Sequence, residues 1–270
     1  MCMTLDYGIS PYWERCANAL DYMFLTGDYM IKPFEKKGYK KEQLIVSGIP
    51  VADQFSFPID RVEACKVLNL DTELFTVIVM KASFFPMSNQ KIINELKKVS
   101  ERLQVVVING NNKRVTDDFA KRLNKSNLHH KVINLGFTNQ VVEYLSAAHL
   151  VVGKAGGLST TETINAGVPS LILDKLPQQE KYNRDYLIKN GCALSTTKHE
   201  IAEKITFLLN HPKEYQKLKE NIQKLRKTET LNMFYDVIKK VPKADYSSID
   251  TSSINRREIK KTIKDFFKKK

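Results

Sequence analysis

With 270 residues and 42% hydrophobic side chains, the chain is long enough for one large or two ordinary globular domains. Its 43 basic against 30 acidic residues leave a formal net charge of +13, which predicts an anionic partner: nucleic acid, acidic lipid headgroups or a phosphorylated small molecule. Cys2, Cys16, Cys65 and Cys192 lie far apart with no CxxC pair, which argues against a disulfide framework or a cysteine zinc site, and no apolar run is long enough to span a bilayer. The scattered cysteines fit a reducing cytoplasm, and the N-terminus shows no basic-then-apolar signal pattern.

In chain order, the first segment reads as a strand over Tyr22 to Leu25, a helix over Tyr29 to Lys37 and a strand over Leu44 to Val46. Three such elements are half a parallel α/β domain. The turn Ser47-Gly48-Ile49-Pro50 and the stretch through Pro58 punctuate the chain and predict a boundary there. We therefore divide the chain into a partial N-terminal domain, 1–57, a main domain, 58–240, and a polar linker with a basic tail, 241–270.

From Phe75 the pattern is regular. Strands FTVIVM, LQVVVING, KVINLG, HLVVG and SLILD alternate with helices over Asn89 to Arg102, Val115 to Leu123 and Asn139 to Ala147, one after Gly157, and one over Glu180 to Lys189. Runs of β-branched residues alternating with helices predict βαβ crossovers and a doubly wound parallel sheet, whose ligands bind beyond the C-terminal ends of the strands. Helices over His199 to Leu209 and Pro212 to Lys227 follow, and the pattern weakens beyond Thr230. The tail places Ile259, Ile263, Phe266 and Phe267 on one helical face among lysines, which suits either an anionic membrane surface or a simply solvated tail.

Two stretches carry chemistry. In VVGKAGGLSTTETINAGVP, Val151 to Pro169, a strand runs into Gly156 and Gly157, and Ser159 stands three residues before Glu162, the spacing of a capping box. A glycine pair feeding a helix N-terminus suits a diphosphate, and it equally suits a tight strand-to-helix turn with its own cap. The order of residues matches neither GxxxxGK[ST] nor GxGxxG, which weighs against ATPase and dehydrogenase activities. One strand later, Pro177, Gln178, Gln179, Glu180 and Asn183 place amides and a carboxylate at the same rim, a set suited to the vicinal hydroxyls of a sugar or to the N-terminus of a helix.

The run from GFTNQ at Gly136 through GCAL ending at Leu194 resembles the donor-binding domain of GT-B glycosyltransferases of the monogalactosyl- and diglucosyl-diacylglycerol synthase type, relatives of the undecaprenyl-muramyl-peptide GlcNAc transferase. It combines, in fixed order, a GFT turn, a KxGG loop, an acidic residue in the next helix, AGVP and a PxQE..N cluster. DYGISPYW and SGIPV resemble the second half of the same family's N-terminal domain. The fold class this implies is α/β, GT-B-like: a doubly wound C-terminal domain with a partial N-terminal Rossmann-like domain.

The resemblance implies that Gly136 and Phe137 hold uracil through their backbone, and that Gly156, Gly157, Ser159 and Thr160 hold the diphosphate. It implies that Glu162 accepts from the ribose hydroxyls and that Gln179, Glu180 and Asn183 read the sugar. Lys154 either adds charge near the phosphates or snorkels at the rim. The implied reaction is metal-independent, inverting transfer of a hexose from a UDP-sugar to a membrane lipid such as diacylglycerol, with no cofactor beyond the donor. It would take place at the inner face of the cell membrane, on a cytoplasmic, peripherally bound protein.

Three features depart from the family. The loop after the first strand of the main domain is MKASFFP instead of glycine-rich, Ser10 replaces a histidine between Asp6 and Trp13, and the family's first N-terminal half-domain has no counterpart before Met1. No catalytic base is assigned for that reason, and a donor-binding subunit completed by a partner chain is the alternative. A nucleic-acid partner is not expected, since no recognition helix or RRM-like motif accompanies the charge.

Overall fold

The computed structural model describes residues 1–9, 13, 17–57, 59–81 and 85–240. The basic tail, Ser10, Cys16, Pro58 and residues 82–84 of the MKASFFP loop lie outside the described residues.

The main sheet has six parallel strands: β4 (Phe75–Met80), β5 (Leu103–Ile108), β6 (Lys131–Leu135), β7 (Leu150–Gly153), β8 (Ser170–Leu173) and β9 (Ala193–Thr196), in the order β6-β5-β4-β7-β8-β9. This is the doubly wound order in which the chain starts at the centre, runs to one edge, and returns to build the other half. β4 and β7, adjacent in register from Val77↔Leu150 to Val79↔Val152, flank the point of reversal. A crevice at the carboxyl ends of these two strands is what this topology provides for a ligand.

The period-2 alternation divides the strand residues between two cores. Val77, Val79, Val105, Val107 and Val152 pack with α3 (Asn89–Leu96), α4 (Lys113–Leu123), α8 (Ile201–Asn210) and α9 (Pro212–Gln223), through Ile92, Ile93, Phe119, Ile205, Leu208 and Leu218. Ile78, Val106, Ile108 and Val151 pack on the other face with Ala64 and Cys65 of α2 (Arg61–Val67) and Val142 and Leu145 of α5 (Val141–Ala147). Burial on both faces is why β4 and β5 read as unbroken apolar runs.

At the start of the chain β1 (Cys2–Met3), β2 (Met23–Leu25) and β3 (Leu44–Val46) form a second, three-stranded parallel sheet in that order, over a core of Met23, Leu25, Met30, Phe34 and Tyr39. The helix expected over Tyr29 to Lys37 is a single 3-10 turn, Asp28–Met30, followed by the short α1 (Ile31–Glu35). The contacts of the chain group Met1–Phe234 as one compact unit.

Several elements differ from the sequence reading. The helix expected to reach Arg102 ends as α3 at Leu96, where Lys98 and Val99 bond three residues back and tighten the last turn. α2, β9, β1 and α10 (Thr230–Lys240) were not expected as elements. α2 is only seven residues long but has a full N-cap: Asp60 accepts from the amides of Val62 at 2.8 Å and Glu63 at 3.4 Å.

Candidate functional site

The loops after β7 and β8 leave the sheet side by side at its C-terminal rim. β7 ends at Gly153, and Lys154, Ala155 and Gly156 lead into α6 (Gly157–Ala166); β8 ends at Leu173, and α7 (Gln178–Lys189) follows. Two interactions tie the loops together. Lys154 Nζ donates to Glu180 Oε1 at 2.7 Å in a largely buried ion pair, and Asn183 Nδ2 donates to the Ala155 carbonyl at 2.8 Å. The glycine stretch and the glutamine-glutamate stretch therefore lie against each other.

The helix start corrects one expectation. Ser159 is not an N-cap, and Ser159 and Glu162 form no capping box. α6 begins two residues earlier, at Gly157, with Gly156 in extended conformation as the N-cap and no side chain capping it. Ser159 is the third residue of the helix and its carbonyl accepts from Thr163 Oγ1 at 2.7 Å. An uncapped first turn leaves amide donors at the positive end of the helix dipole. Ser159 and the buried Thr160 line a small cavity of about 20 Å³ with Lys154, Gly153 and Thr163, directly beneath this turn.

Glu162 lies in the second turn of α6. Burial pushes its carboxyl up to about 7, because among the described residues neither a hydrogen bond nor a nearby cation offsets the lost solvation. Glu180 is also incompletely satisfied. Its Oε1 holds Lys154, while its Oε2 is buried and without a partner among the described residues. Each carboxylate thus keeps acceptor capacity that no described residue fills.

Asn183 departs from its expected role. It is fully buried, it accepts from the Tyr7 amide at 2.6 Å, and it donates to Asp6 Oδ1 and the Ala155 carbonyl, both at 2.8 Å. Its amide hydrogens are spent clamping the N-terminal segment to the β7–α6 loop, which leaves none to read a sugar. Gln179 is exposed at the start of α7 and bonds to no described residue. Gly136 and Phe137 do not line the cavity under α6. Phe137, 66% exposed, borders a separate open cleft of about 1220 Å³ over the ends of β4 and β5, with Lys81, Asn89, Asn109 and Asn112.

Gly157 has a use that sequence pattern does not reveal. A Cβ there would lie 1.8 Å from the Leu5 carbonyl oxygen and 3.1 Å from Asp6 Oδ1, so the N-terminal segment passes directly over the helix start. Asp6 and Tyr7 thus join the site from a distant part of the chain. Lys81, at the end of β4, is a second addition: it is buried, donates to Asn89 Oδ1, and its ammonium lies 6.0 Å above the Phe119 ring. Desolvation holds the Lys81 amine below the usual lysine range, against the pull of Asp118. A lysine ending an apolar strand is the signal that could have marked it.

A doubly wound sheet with an uncapped helix at its switch point is the donor-domain architecture of GT-B proteins. The crystal structure of Acinetobacter baumannii MurG superposes with a TM-score of 0.63 at 16% identity, over 88% of this chain and 66% of that one. That of Anabaena HepE in complex with UDP-glucose superposes at 0.56 and 14%, over 87% and 70%. Residues 83–241 match the glycosyltransferase family 28 C-terminal domain, and the chain belongs to that family. The processive diacylglycerol beta-glucosyltransferase of Staphylococcus saprophyticus is 28% identical over 221 residues, 81% of this chain and 54% of its own length. The Bacillus subtilis protein of that name is 26% identical over 223 residues, 82% of this chain and 57% of its own. The chain spans about half the length of the curated relatives it matches.

Proposed function

We propose that this chain binds a UDP-sugar at the mouth formed by the β7–α6 and β8–α7 loops and serves the transfer of its hexose to a lipid hydroxyl such as that of diacylglycerol, with inversion and without a metal. The observation that carries the reading is a helix N-terminus without a side-chain cap, paired with a half-buried carboxylate at Glu162 that has no partner among the described residues. The amide donors suit a diphosphate, and ribose hydroxyls would supply the hydrogen bonds that Glu162 lacks. Glu180 Oε2 and Gln179 would then meet the sugar, and Lys154 would add a positive charge near the departing UDP. Thr160 and Ser159 would stand beneath the phosphates, with Gly136 and Phe137 toward the base. Attack at the anomeric carbon forms the new glycosidic bond, sends the electron pair of the broken bond to the UDP oxygen, and passes the acceptor proton to a base.

No helix among the described residues is long and apolar enough to cross a membrane. A peripheral position at the inner face of the cell membrane, with the basic tail on anionic lipid, completes the reading, and retention on anionic vesicles that falls with salt tests it.

Thermal unfolding tests the donor site. UDP at a hundred times its Kd contributes about 2.7 kcal/mol, which raises Tm by about 5–10 °C for a domain of this size. ADP should give a much smaller shift, and Glu162→Ala should abolish the UDP shift while the protein stays folded. Equal shifts from UDP and ADP, or a full UDP shift in the variant, count against the reading. A UDP-sugar bound but not turned over would favour a donor-binding subunit that acts with a partner chain.

A further inference from the structure

We propose that Leu5 and Asp6 form a gate on the α6 N-terminus, which a nucleoside diphosphate must lift to bind. This rests on the donor-site reading above and adds a conformational step to it. The Leu5 carbonyl so closely abuts Gly157 that a single added methyl would lie 1.8 Å from the oxygen, with Asp6 Oδ1 3.1 Å from the same point. A carbonyl oxygen and a carboxylate, both electron-rich, thus stand where an uncapped helix offers its positive end. They are the groups that a phosphate would replace.

The gate is latched at defined points. Asn183 donates to Asp6 Oδ1 at 2.8 Å and accepts the Tyr7 amide at 2.6 Å. The Tyr7 hydroxyl pairs with Thr161 Oγ1 at 3.0 Å, Thr26 Oγ1 donates to the Asp6 carbonyl at 2.9 Å, and Tyr29 donates to the Tyr7 carbonyl at 2.8 Å. Leu5 itself is 52% exposed, so its side chain adds little to hold the segment down. The latch thus combines polar contacts centred on Asn183 with the buried Tyr7 ring stacked on Tyr186, and its electrostatic share lies in the Asp6 charge. A diphosphate arriving at the α6 N-terminus meets that charge at close range, and the like charges repel.

Asp6→Asn isolates the charge, because its side-chain oxygen can still accept from Asn183. Calorimetric titration of the full chain with UDP should show about tenfold tighter binding to the variant, with uridine, which carries no phosphate, unchanged within about twofold. In the wild-type chain, UDP should speed hydrogen exchange at the Tyr7 amide, the reverse of the protection that ligands ordinarily confer. Equal or weaker UDP binding by Asp6→Asn, or slower Tyr7 exchange with UDP, overturns the gate and leaves the donor site standing. If neither UDP nor uridine binds either protein, the donor-site reading fails and the gate falls with it.

Discussion

The ionisation of Glu162 ties stability to the donor binding proposed at α6. Burial raises its carboxyl from 4.5 to about 7, so the folded chain holds this proton more tightly than the unfolded one. The favourable contribution is complete below the ordinary glutamate value and is lost as pH rises through about 7, where the folded state must accept a poorly solvated charge. Glutamine at this position has no proton to lose. Relative to wild type, Glu162→Gln should gain about 2 kcal/mol between pH 4.5 and pH 8, after allowing for partial solvent screening, as read from urea midpoints. UDP should respond in the opposite sense, because the ionised carboxylate is the better acceptor for ribose hydroxyls. The terminal phosphate of UDP ionises in the same range, so the test is the difference: between pH 6 and 8 wild-type UDP affinity should rise relative to that of Glu162→Gln. A wild-type affinity that falls relative to the variant's over the same range would remove Glu162 from the ribose site.

At the scale of the element, α6 shows why two adjacent glycines are not equivalent. A Cβ at Gly156 meets nothing within 4 Å, whereas one at Gly157 strikes the backbone of Leu5. Gly157→Ala should cost about 2–3 kcal/mol in urea unfolding through forced displacement of the N-terminal segment, and Gly156→Ala less than about 1 kcal/mol. Similar costs at both sites would mean that the Leu5 contact is not held in solution. The same helix marks the limit of what was legible beforehand. β4 and β5 were plain because burial on both faces writes itself as continuous β-branched sequence. The start of α6 was misplaced because Ser159 and Glu162 carry a local pattern, while Gly157 answers to Leu5, a residue far away in the chain that no periodicity connects to it. Asn183 looked like a rim residue for the same reason: its three partners come from the N-terminal segment and the β7–α6 loop. α2 did have a readable sign, Asp60 three residues before Glu63, but seven residues give a helical period little room to show.

For the whole molecule the question is whether the small sheet and the large one behave as a single cooperative body. Their junction is polar and aromatic. Asn183 clamps Asp6 and Tyr7, Tyr7 stacks on Tyr186 at a centroid distance of 4.5 Å, Tyr29 approaches Tyr186 at 5.2 Å, and buried Thr230 donates to the Ser47 carbonyl at 2.7 Å. Met1–Phe234 accordingly forms one compact unit. The sole tryptophan makes this measurable, because Trp13 belongs to the small-sheet cluster, 6.5 Å from the Phe34 ring and with its carbonyl bound by the Tyr39 hydroxyl at 3.0 Å. Its fluorescence reports the small sheet, while far-UV circular dichroism is dominated by the six-stranded sheet and its helices. We expect the two signals to trace one urea transition with a common midpoint. Saturating UDP should move both midpoints upward together, because lifting Leu5 and Asp6 leaves the Tyr29, Tyr186 and Thr230 contacts in place to couple the sheets. A tryptophan transition at lower urea than the dichroism transition would show that the small sheet melts alone, and the clamp at Asn183 would then be too weak to link the two sheets.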